Sequence, residues 1–585
     1  MYKKAVSGIM LTILFICLLS VALNIQPAKS EPRTIIVPDD YPTIQEAINN
    51  ANAGDIIYVR AGIYYENVIV NKTVSLVGEK KSTTIIDGKG MAYVINVTAN
   101  KVNISEFTIR NANTGLYLWN SGGHNISCNI IANNLWCGIH LRTSTGNTIE
   151  NNVVTNNRAT AWWGGSGIHL EGFSSANRIT NNVISNNTWG LVLSASDLNI
   201  LSGNKLINNT YGLTIEHLFD NDIDTSNTIN GKPIYYLSNQ KNLVIDPATF
   251  PHVGYLGIIK SENITVKNLN LTGNGHGILF AYTNKSIIQN VNLQHNRIGI
   301  LLFHSSENII EMNTISENQI EGILIDHSNR NLIRCNSIVG NYYGIGTVSG
   351  NKNNHIYHNN FISNTKQVGY RSSEVRDGKP VYAEDVWDDG YPSGGNYWSD
   401  YNGTDFYSGP FQNETGNDGI GDTPYVIDEN NVDHYPLMNP YTITPPAPLV
   451  INATVDVNPK ALNLRSRGKW ITAYIELPEG YNIQDINAST IMLNDAISAK
   501  PKPIAVGDHD EDGILDLMVK FDRTNVISYI LANVNNTKLI EERFMRVTLT
   551  ITGKLNDGTP FKGSDIIKIV MPMPRAIYKI FLFPI

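Results

Sequence analysis

Nine glycines, Gly115, Gly138, Gly167, Gly190, Gly212, Gly277, Gly299, Gly322 and Gly344, each open a short run in which inward and outward positions alternate. In Gly138–Arg142, Ile139 and Leu141 fall on one face and His140 and Arg142 on the other, the period of a strand. A polar turn, an Asn-flanked Val/Ile strand and a second Asn-rich turn then lead to the next glycine. Successive glycines lie 22 or 23 residues apart, except for 29 between Gly138 and Gly167 and 65 between Gly212 and Gly277, about three periods in which the pattern blurs. A fixed return of this length predicts a solenoid. Its units hold β-branched strands and turn formers rather than a Leu-rich helical half, so each is read as a coil of a parallel β-helix with its aliphatics inside.

Asn recurs at one address in the coil. It stands fourteen residues after the glycine at Asn129, Asn152, Asn204, Asn313 and Asn336, and fifteen after it at Asn182. Asn tolerates the left-handed turn conformation, and its amide can bond from coil to coil, so a ladder is expected.

The ends of the array have their own grammar. Thr43 and Glu46 have capping-box spacing ahead of a short helix carrying Ile44, Ala47 and Ile48, a lid for the first coil. Before it, Lys3 and Lys4, an apolar run from Ile9 to Leu23 and the exit Ala28-Lys29-Ser30 predict a secretory signal peptide; a retained anchor is the alternative, for which the run is short. From Leu449, strand-like pieces at sandwich spacing show no 22-residue return. The expected order is a signal peptide over 1–30, a cap and first coils over 31–110, β-helix coils over 111–365, a second cap over 366–441, a Pro-rich linker over 442–448 and a β-sandwich over 449–585.

The stretch TIQEAINNANAGDIIYVRAGIYYENVIVNKTVSLVGE at Thr43–Glu79, followed by the Gly-Ile coils, resembles the start of a pectin-lyase-like right-handed parallel β-helix of the NosD/CASH type, the carbohydrate-binding proteins and sugar hydrolases. NGKPIYYL at Asn230–Leu237, DGKPVYAE at Asp377–Glu384, GNYWSDYNGTD at Gly395–Asp405 and GIGDTPYVIDENNVDHYPL at Gly419–Leu437 also resemble NosD-like proteins, and the likeness covers roughly residues 33–440. It implies a right-handed β-solenoid, which the strand spacing after Leu449 extends to an all-β chain ending in a small sandwich. Such folds host lyases, hydrolases, epimerases, binding proteins and metal-delivery proteins, so function has to be read from outward residues.

Composition narrows the partners. The formal net charge is −8 and no Lys/Arg run is present, which argues against nucleic acid. Beyond the signal segment only Cys128, Cys137 and Cys335 remain, too few for a disulfide framework, and they are read as small buried residues. Sequons such as those at Asn71, Asn96, Asn208 (Asn208-Asn209-Thr210), Asn263, Asn284 and Asn402 permit glycosylation in an exported chain. The apolar tail Ile577–Ile585 is too short to span a bilayer, so no transmembrane span is expected in the mature chain.

Two and four residues after each glycine the outward pairs read Tyr117/Trp119, His140/Arg142, His169/Glu171, Val192/Ser194 and Thr214/Glu216, then Leu279/Ala281, Leu301/Phe303 and Leu324/Asp326. The longest coil inserts Trp162 and Trp163 beside His169 and Glu171, and Trp136 and Trp189 precede their glycines. Trp and Tyr faces stack on sugar rings, so Tyr117, Trp119, Trp136, Trp162, Trp163 and Trp189 are candidate glycan contacts; packing of the inserted loop is the alternative. For catalysis the candidates are His140, Arg142, His169, Glu171 and Glu216: a carboxylate beside His and Arg can take the proton alpha to a uronate carboxyl, and two carboxylates can hydrolyse a glycosidic bond. Glu216 lies two coils from Glu171, about 10 Å by strand spacing, which is long for a hydrolytic pair. Binding is therefore favoured over cleavage.

Exposed leucines at 279, 301 and 324 would be unfavourable by about 25 cal/mol per Å², so the C-terminal domain or the Arg371–Asp405 region is expected to cover them. His304 and His327 recur in successive coils but make only half a metal site; copper delivery, which the resemblance suggests, would want a denser His/Met/Cys set. In the sandwich, Asp508, Asp510, Asp512, Ile514 through its carbonyl, and Asp516 occupy positions 1, 3, 5, 7 and 9 around Gly513, the pattern of a structural calcium loop. Position 12 is Val519 and a strand follows, which points to the loops of extracellular β proteins rather than an EF-hand. The expectation is a secreted or cell-surface protein that binds an extended polysaccharide or cell-surface glycan, with cleavage open; the alternative is a structural or adhesion protein of the envelope.

Overall fold

The computed structural model describes residues 31–571, except 160–163, 349, 371–374, 377–378, 381–382, 444–449, 479–480, 503, 535–538, 541 and 557–558. The signal-peptide segment, Trp162, Trp163, most of the Pro-rich linker and the apolar tail lie outside the described residues. Among the described residues no helix is long and apolar enough to cross a membrane.

The chain is an all-β solenoid in which successive coils pair in parallel register. The helix Ile44–Asn50 buries Ile44, Ala47 and Ile48, and the Thr43 hydroxyl accepts from the Glu46 N–H at 3.1 Å. The Glu66 carboxylate accepts from the N–H groups of Ile44 and Gln45 at 2.9 and 3.0 Å, a capping partner from the next turn of chain that local spacing does not reveal. The glycine strands Thr114–Trp119, Cys137–Arg142, Ser166–Glu171, Trp189–Ser194 and Tyr211–Glu216 form one sheet, with Ile139 between Leu116 and Ile168 and His140 between Tyr117 and His169. Gly138 is required by close approach: a Cβ there would lie 2.6 Å from both the Gly167 carbonyl oxygen and Val154 Cγ1.

The Asn positions form the expected ladder. Asn129 donates from its backbone N–H and its amide to Asn152 Oδ1 at 3.0 and 3.2 Å; Asn152 does the same to Asn182 at 3.0 and 3.1 Å and also donates to the Ile126 carbonyl at 2.8 Å. Asn182 continues to Asn204, and Asn204 to Asn227. The left-handed backbone is not at the ladder Asn but one residue before it, at Cys128, Asn151, Asn181 and Gly203. Cys128 and Cys335 are accordingly half-buried turn residues and only Cys137 is buried; all three thiols are free.

The blurred interval between Gly212 and Gly277 is a junction. Asn230 and Gly231, at φ of 50° and 81°, join Thr228–Ile229 to an antiparallel strand, Lys232–Ser238, as a two-residue Asn-Gly hairpin. Lys232–Ser238 founds a second stack, continued by Tyr255–Ile259, His276–Ala281, Ile298–Phe303, Glu321–Asp326, Tyr343–Thr347 and Lys366–Tyr370, all within one 15-stranded sheet shared with the first solenoid. The second-stack part of this sheet is buried on both faces. Ile278, Phe280, Ile300, Leu302, Ile323 and Ile325 line the second core, whereas Leu279, Ala281, Leu301 and Leu324 join Phe219, Ile223 and Ile229 in the core of the first solenoid. The leucine stripe is thus covered by the open end of the first solenoid, not by the C-terminal domain or the Arg371–Asp405 region. Runs such as GILFA and GILLF are continuous apolar stretches because both their faces are dry.

At the far end the ladder changes residue type. Asn359 donates to Asn396 Oδ1, but Asn396 N–H and the Trp398 indole both donate to Asp433 Oδ2 at 2.8 Å, and Asn354 donates twice to Asp385 Oδ1 at 3.0 and 2.8 Å. Burial pushes the Asp385 carboxyl up to about 6 and that of Asp433 up to about 7.

The C-terminal part packs a sheet containing Ile486–Leu493, Phe544–Leu555 and Pro560–Val570 on one containing Thr454–Asn458, Trp470–Glu476 and Asp516–Asp522 around a single core. The helix Arg523–Asn533, whose first turn is capped by Asp522, has no counterpart in the sequence pattern.

Asn152→Ala removes the acceptor of the buried Asn129 N–H, while the Asn129 amide keeps the Ile104 carbonyl at 2.9 Å. One orphaned buried donor costs about 1–3 kcal/mol, and a loss of that size is expected in denaturant unfolding followed by far-ultraviolet circular dichroism; a loss below about 1 kcal/mol would remove the ladder from the account of stability.

Candidate functional site

On the outer side of the glycine sheet, strand spacing turns register into a column of rings. Tyr93 and Tyr117 stack with centroids 4.7 Å apart and planes 6° from parallel; Tyr117 meets His140 at 5.1 Å, and His140 meets His169 at 5.2 Å and 19°. Because each ring shields the next, Tyr117, His140 and His169 are only 8%, 7% and 4% exposed. The positions two after the glycine are therefore not the open stripe the alternation suggests. The site opens one strand position further on, where Trp119 and Arg142 are exposed and Glu171 is half-buried.

Arg142 and Glu171 are register partners in adjacent strands. Glu171 Oε1 lies 3.3 Å from His140 Nε2 and 3.3 Å from Arg142 Nε, close ion contacts rather than aligned hydrogen bonds. The His140 ring first, and then the Arg142 guanidinium, holds the Glu171 carboxyl below its usual range against partial desolvation. Burial, reinforced by His140, depresses His169 to about 4, so its imidazole is neutral at neutral pH. Beside this cluster is a cleft of about 940 Å³ lined by Tyr93, Tyr117, Trp136, His140, Arg142, Arg158 and Glu171 among others.

Two candidates leave the cleft. Trp189 is buried against Tyr211, 4.6 Å away, and Val192, with the Arg297 guanidinium 5.9 Å from its ring. Glu216 is held by Arg297 Nη1 at 2.7 Å, an ion pair 81 residues apart in sequence that ties the last coil of the first solenoid to the second. Both corrections share a cause: these coils are where the two solenoids join, and their outward residues face protein. Trp136 remains half-exposed in the cleft wall, while Trp119 is 52% exposed outside its lining. Tyr93 and Arg158 were not singled out from the sequence. Tyr93 sits in register with Thr114, one coil before the first repeat glycine, where the glycine signal is absent.

Among the described residues, three groups of ligand atoms lie within 4.8 Å of one another: His140, His169 and Glu171; Asp508, Asp510 and Asp516; and Glu476, Asp510 and Asp512. In the sandwich loop the Asp508 carboxylate accepts from the N–H groups of Asp512 and Gly513 at 3.2 and 3.0 Å, Asp512 Oδ1 accepts from the Ile514 N–H at 2.8 Å, and Asp516 Oδ2 from the His509 N–H at 2.8 Å. Glu476, opposite Asp516 in antiparallel register, joins the acidic set across the sheet, a neighbour no spacing within the loop could give. Partial desolvation and then the four aspartates raise its carboxyl above the usual range.

A family model described as periplasmic copper-binding protein (NosD) matches residues 48–243 and 214–403, together more than half of the chain. The chain belongs to the NosD family. A cell surface glycoprotein of Methanothermus fervidus is 30% identical over 125 residues, 21% of this chain, and the match spans 21% of the length of that relative. Among solved structures, an alginate lyase from Paenibacillus sp. is 12% identical over 52% of this chain and 94% of that one, with a TM-score of 0.27. The pectate lyase Pel9A is 13% identical over 60% and 82%, with a TM-score of 0.26. At such scores nothing about chemistry follows from either.

For the copper of the NosD description, the first of the three groups is the one whose donors fit: two imidazoles and a carboxylate suit copper(II), whereas the all-carboxylate groups suit hard cations. His304 and His327 stack at 4.9 Å, and Asp326 Oδ1 engages His327 Nδ1 at 2.6 Å, but they belong to no three-ligand group among the described residues.

His169 has a folded-state pKa near 4 against an ordinary 6.5. The unfolded chain therefore takes up this proton first, and stability falls as pH is lowered from about 6.5 to 4. His169→Gln is expected to flatten that part of the melting temperature against pH; an unchanged slope would show that folding does not depress the His169 pKa.

Proposed function

We propose that this NosD-family chain is a cell-surface or envelope β-helix protein whose first-solenoid cleft binds an acidic polysaccharide. The observation that carries the reading is the convergence of two part-exposed rings and a cation in one cleft: Tyr93 and Trp136 beside Arg142, with Tyr117 and His140 packed beneath them. Aromatic faces take the CH surfaces of sugar rings, and the Arg142 guanidinium, largely exposed and only loosely engaged by Glu171, is placed to pair with a uronate carboxylate. A column of parallel coils presents such groups at regular strand spacing, which suits a polymer. The surface location is supported by the glycoprotein relative and by the signal-like segment at 1–30. Glu171, kept below the ordinary carboxylate range, is ionised but weakly basic, so binding is favoured over proton abstraction.

Titration calorimetry of the full chain with polygalacturonate and alginate, against a neutral glucan, is the test. Saturable binding of a uronate polymer, weakened tenfold or more by Arg142→Ala, is expected, with no rise in ultraviolet absorbance from unsaturated products. Equal binding of the neutral glucan, or indifference to Arg142→Ala, would overturn the acidic-glycan reading and leave an envelope rod as the better account.

The sandwich loop supports a structural calcium site built from Asp508, Asp510, Asp512, the Ile514 carbonyl and Asp516, with Glu476 added from the neighbouring strand. Calcium at about 100 times its Kd adds roughly 2.7 kcal/mol to a folded state that binds it. A calcium-dependent rise in one calorimetric transition of the full chain is expected, and Asp512→Ala should abolish it. A transition indifferent to calcium would remove the ion from this loop.

A further inference from the structure

We propose that the C-terminal sandwich carries a binding site for one oxyanion, a sulfate or phosphate group, at the Arg523 guanidinium inside the loop 463–469. Arg523 opens the helix Arg523–Asn533 and is only 5% exposed. A charge held out of water is costly unless an opposite charge meets it, so a buried guanidinium normally faces a carboxylate. Arg523 faces none among the described residues: burial alone acts on it and pulls the guanidinium below its ordinary range. Its side-chain hydrogen bonds both leave from Nη2, to the Asn463 carbonyl at 2.8 Å and to the Ser466 hydroxyl, and neither acceptor is charged. Nε is sealed from water without an acceptor, whereas Nη1, also without one, is not sealed off. The positive charge and the Nη1 donors are left for a ligand.

The loop supplies the surroundings an anion needs. It wraps the guanidinium, with Asn463 and Ser466 at Nη2, Gly468 beside Nη1, and the Lys469 carbonyl accepting the Arg523 N–H at 3.2 Å. Residues 463–469, NLRSRGK, hold three cations and no acid in a chain whose formal net charge is −8. The Lys469 ammonium rests on the Trp470 ring, 4.8 Å from its centroid, rather than on a carboxylate. The N–H groups of Arg467, Gly468 and Lys469 have no protein acceptor among the described residues, and successive backbone N–H groups of this kind cradle oxyanions. Gly468 keeps the mouth open: a Cβ there would stand 3.4 Å from Nη1, close to where an accepting ligand oxygen would lie. The adjacent acid, Asp522, is turned to the helix, its Oδ1 accepting from the N–H groups of Thr524 and Asn525 at 3.0 and 3.2 Å. A doubly charged tetrahedral anion meets more of these donors and more of this charge than a single carboxylate does.

No step of this inference depends on the first-solenoid cleft, and Arg142→Ala should leave it unchanged. The experiment titrates sodium sulfate and, separately, sodium phosphate into the full chain at constant ionic strength and follows the heat, with sodium acetate as the singly charged, planar control. One equivalent of sulfate or phosphate bound with a Kd of about 1 mM or tighter is expected, with acetate at least tenfold weaker; the tighter of the two tetrahedral anions identifies the group. Arg523→Lys keeps a charge but removes Nη1, and Gly468→Ala places a methyl at the mouth, where its three nearest atoms all belong to Arg523. Each should weaken the anion tenfold or more. Circular dichroism and the melting temperature without anion check that the sandwich is intact, and Gly468→Ala, on an exposed loop, carries the test if Arg523→Lys does not fold. Absence of saturable binding, acetate bound as tightly as sulfate and phosphate, or binding undiminished in folded Gly468→Ala would overturn the site and leave Arg523 a clamp between loop and helix.

Discussion

Everything in the solenoid depends on satisfying the buried backbone of its turns. A coil closes only if the chain turns sharply several times per repeat, and each turn leaves N–H and carbonyl groups inside with no strand partner. The Asn amide meets this need in both directions: Asn152 Oδ1 takes two donors from the coil on one side, while its own N–H groups reach Asn182 Oδ1 and the Ile126 carbonyl. Because one residue links three coils, the ladder fixes axial spacing and rotational register together. That register places His140 directly between Tyr117 and His169. The same network that holds the fold also brings the candidate site's side chains together.

The second constraint is that a solenoid has two ends, each exposing a core. At the start a short helix and the Glu66 carboxylate close the first coil. At the other end of the first stack the chain does not cap itself but reverses through Asn230-Gly231 and lays the outer face of the second stack's sheet over the opening. Burying Leu279, Leu301 and Leu324 there replaces two exposed apolar surfaces with one interior, and the Glu216–Arg297 pair marks its rim. Candidate ligands at the junction are consumed by it. The cleft survives toward the other end of this sheet, where Arg142 and Trp136 meet solvent.

Period, strand content, the capping helix and the Asn ladder were legible in the sequence because each is a local or fixed-interval signal. The exchange of Asn for Asp at the last rungs, Asp385 and Asp433, was not, since it follows from loops of irregular length that bring Asn354 and Asn396 to new partners. Periodicity identified His140, Arg142, His169 and Glu171 as neighbours. It could not show that stacked rings would bury two of them, nor that Glu216, outward by alternation, and Trp189, at the edge before its glycine, would face a second solenoid. That information lies in contacts such as Arg297 with Glu216, whose sequence separation bears no relation to the repeat. Glu476 beside the Asp508–Asp516 loop escapes for the same reason, being adjacent only through strand pairing.

The ring column gives a reason for the chemistry to gather in this one stretch. In a parallel stack, equivalent side chains repeat at strand spacing, so like charges at successive rungs repel and cannot all be ionised. Stacked rings relieve that repulsion: Tyr93, Tyr117, His140 and His169 fill four successive rungs, and burial keeps His169 uncharged. The charged groups are displaced to the strand ends, where Arg142 and Glu171 alternate in sign and water reaches them. Strand register thus sorts the titratable residues of this outer face, with rings stacked along the column and one cation and one anion, Arg142 and Glu171, paired at its open edge.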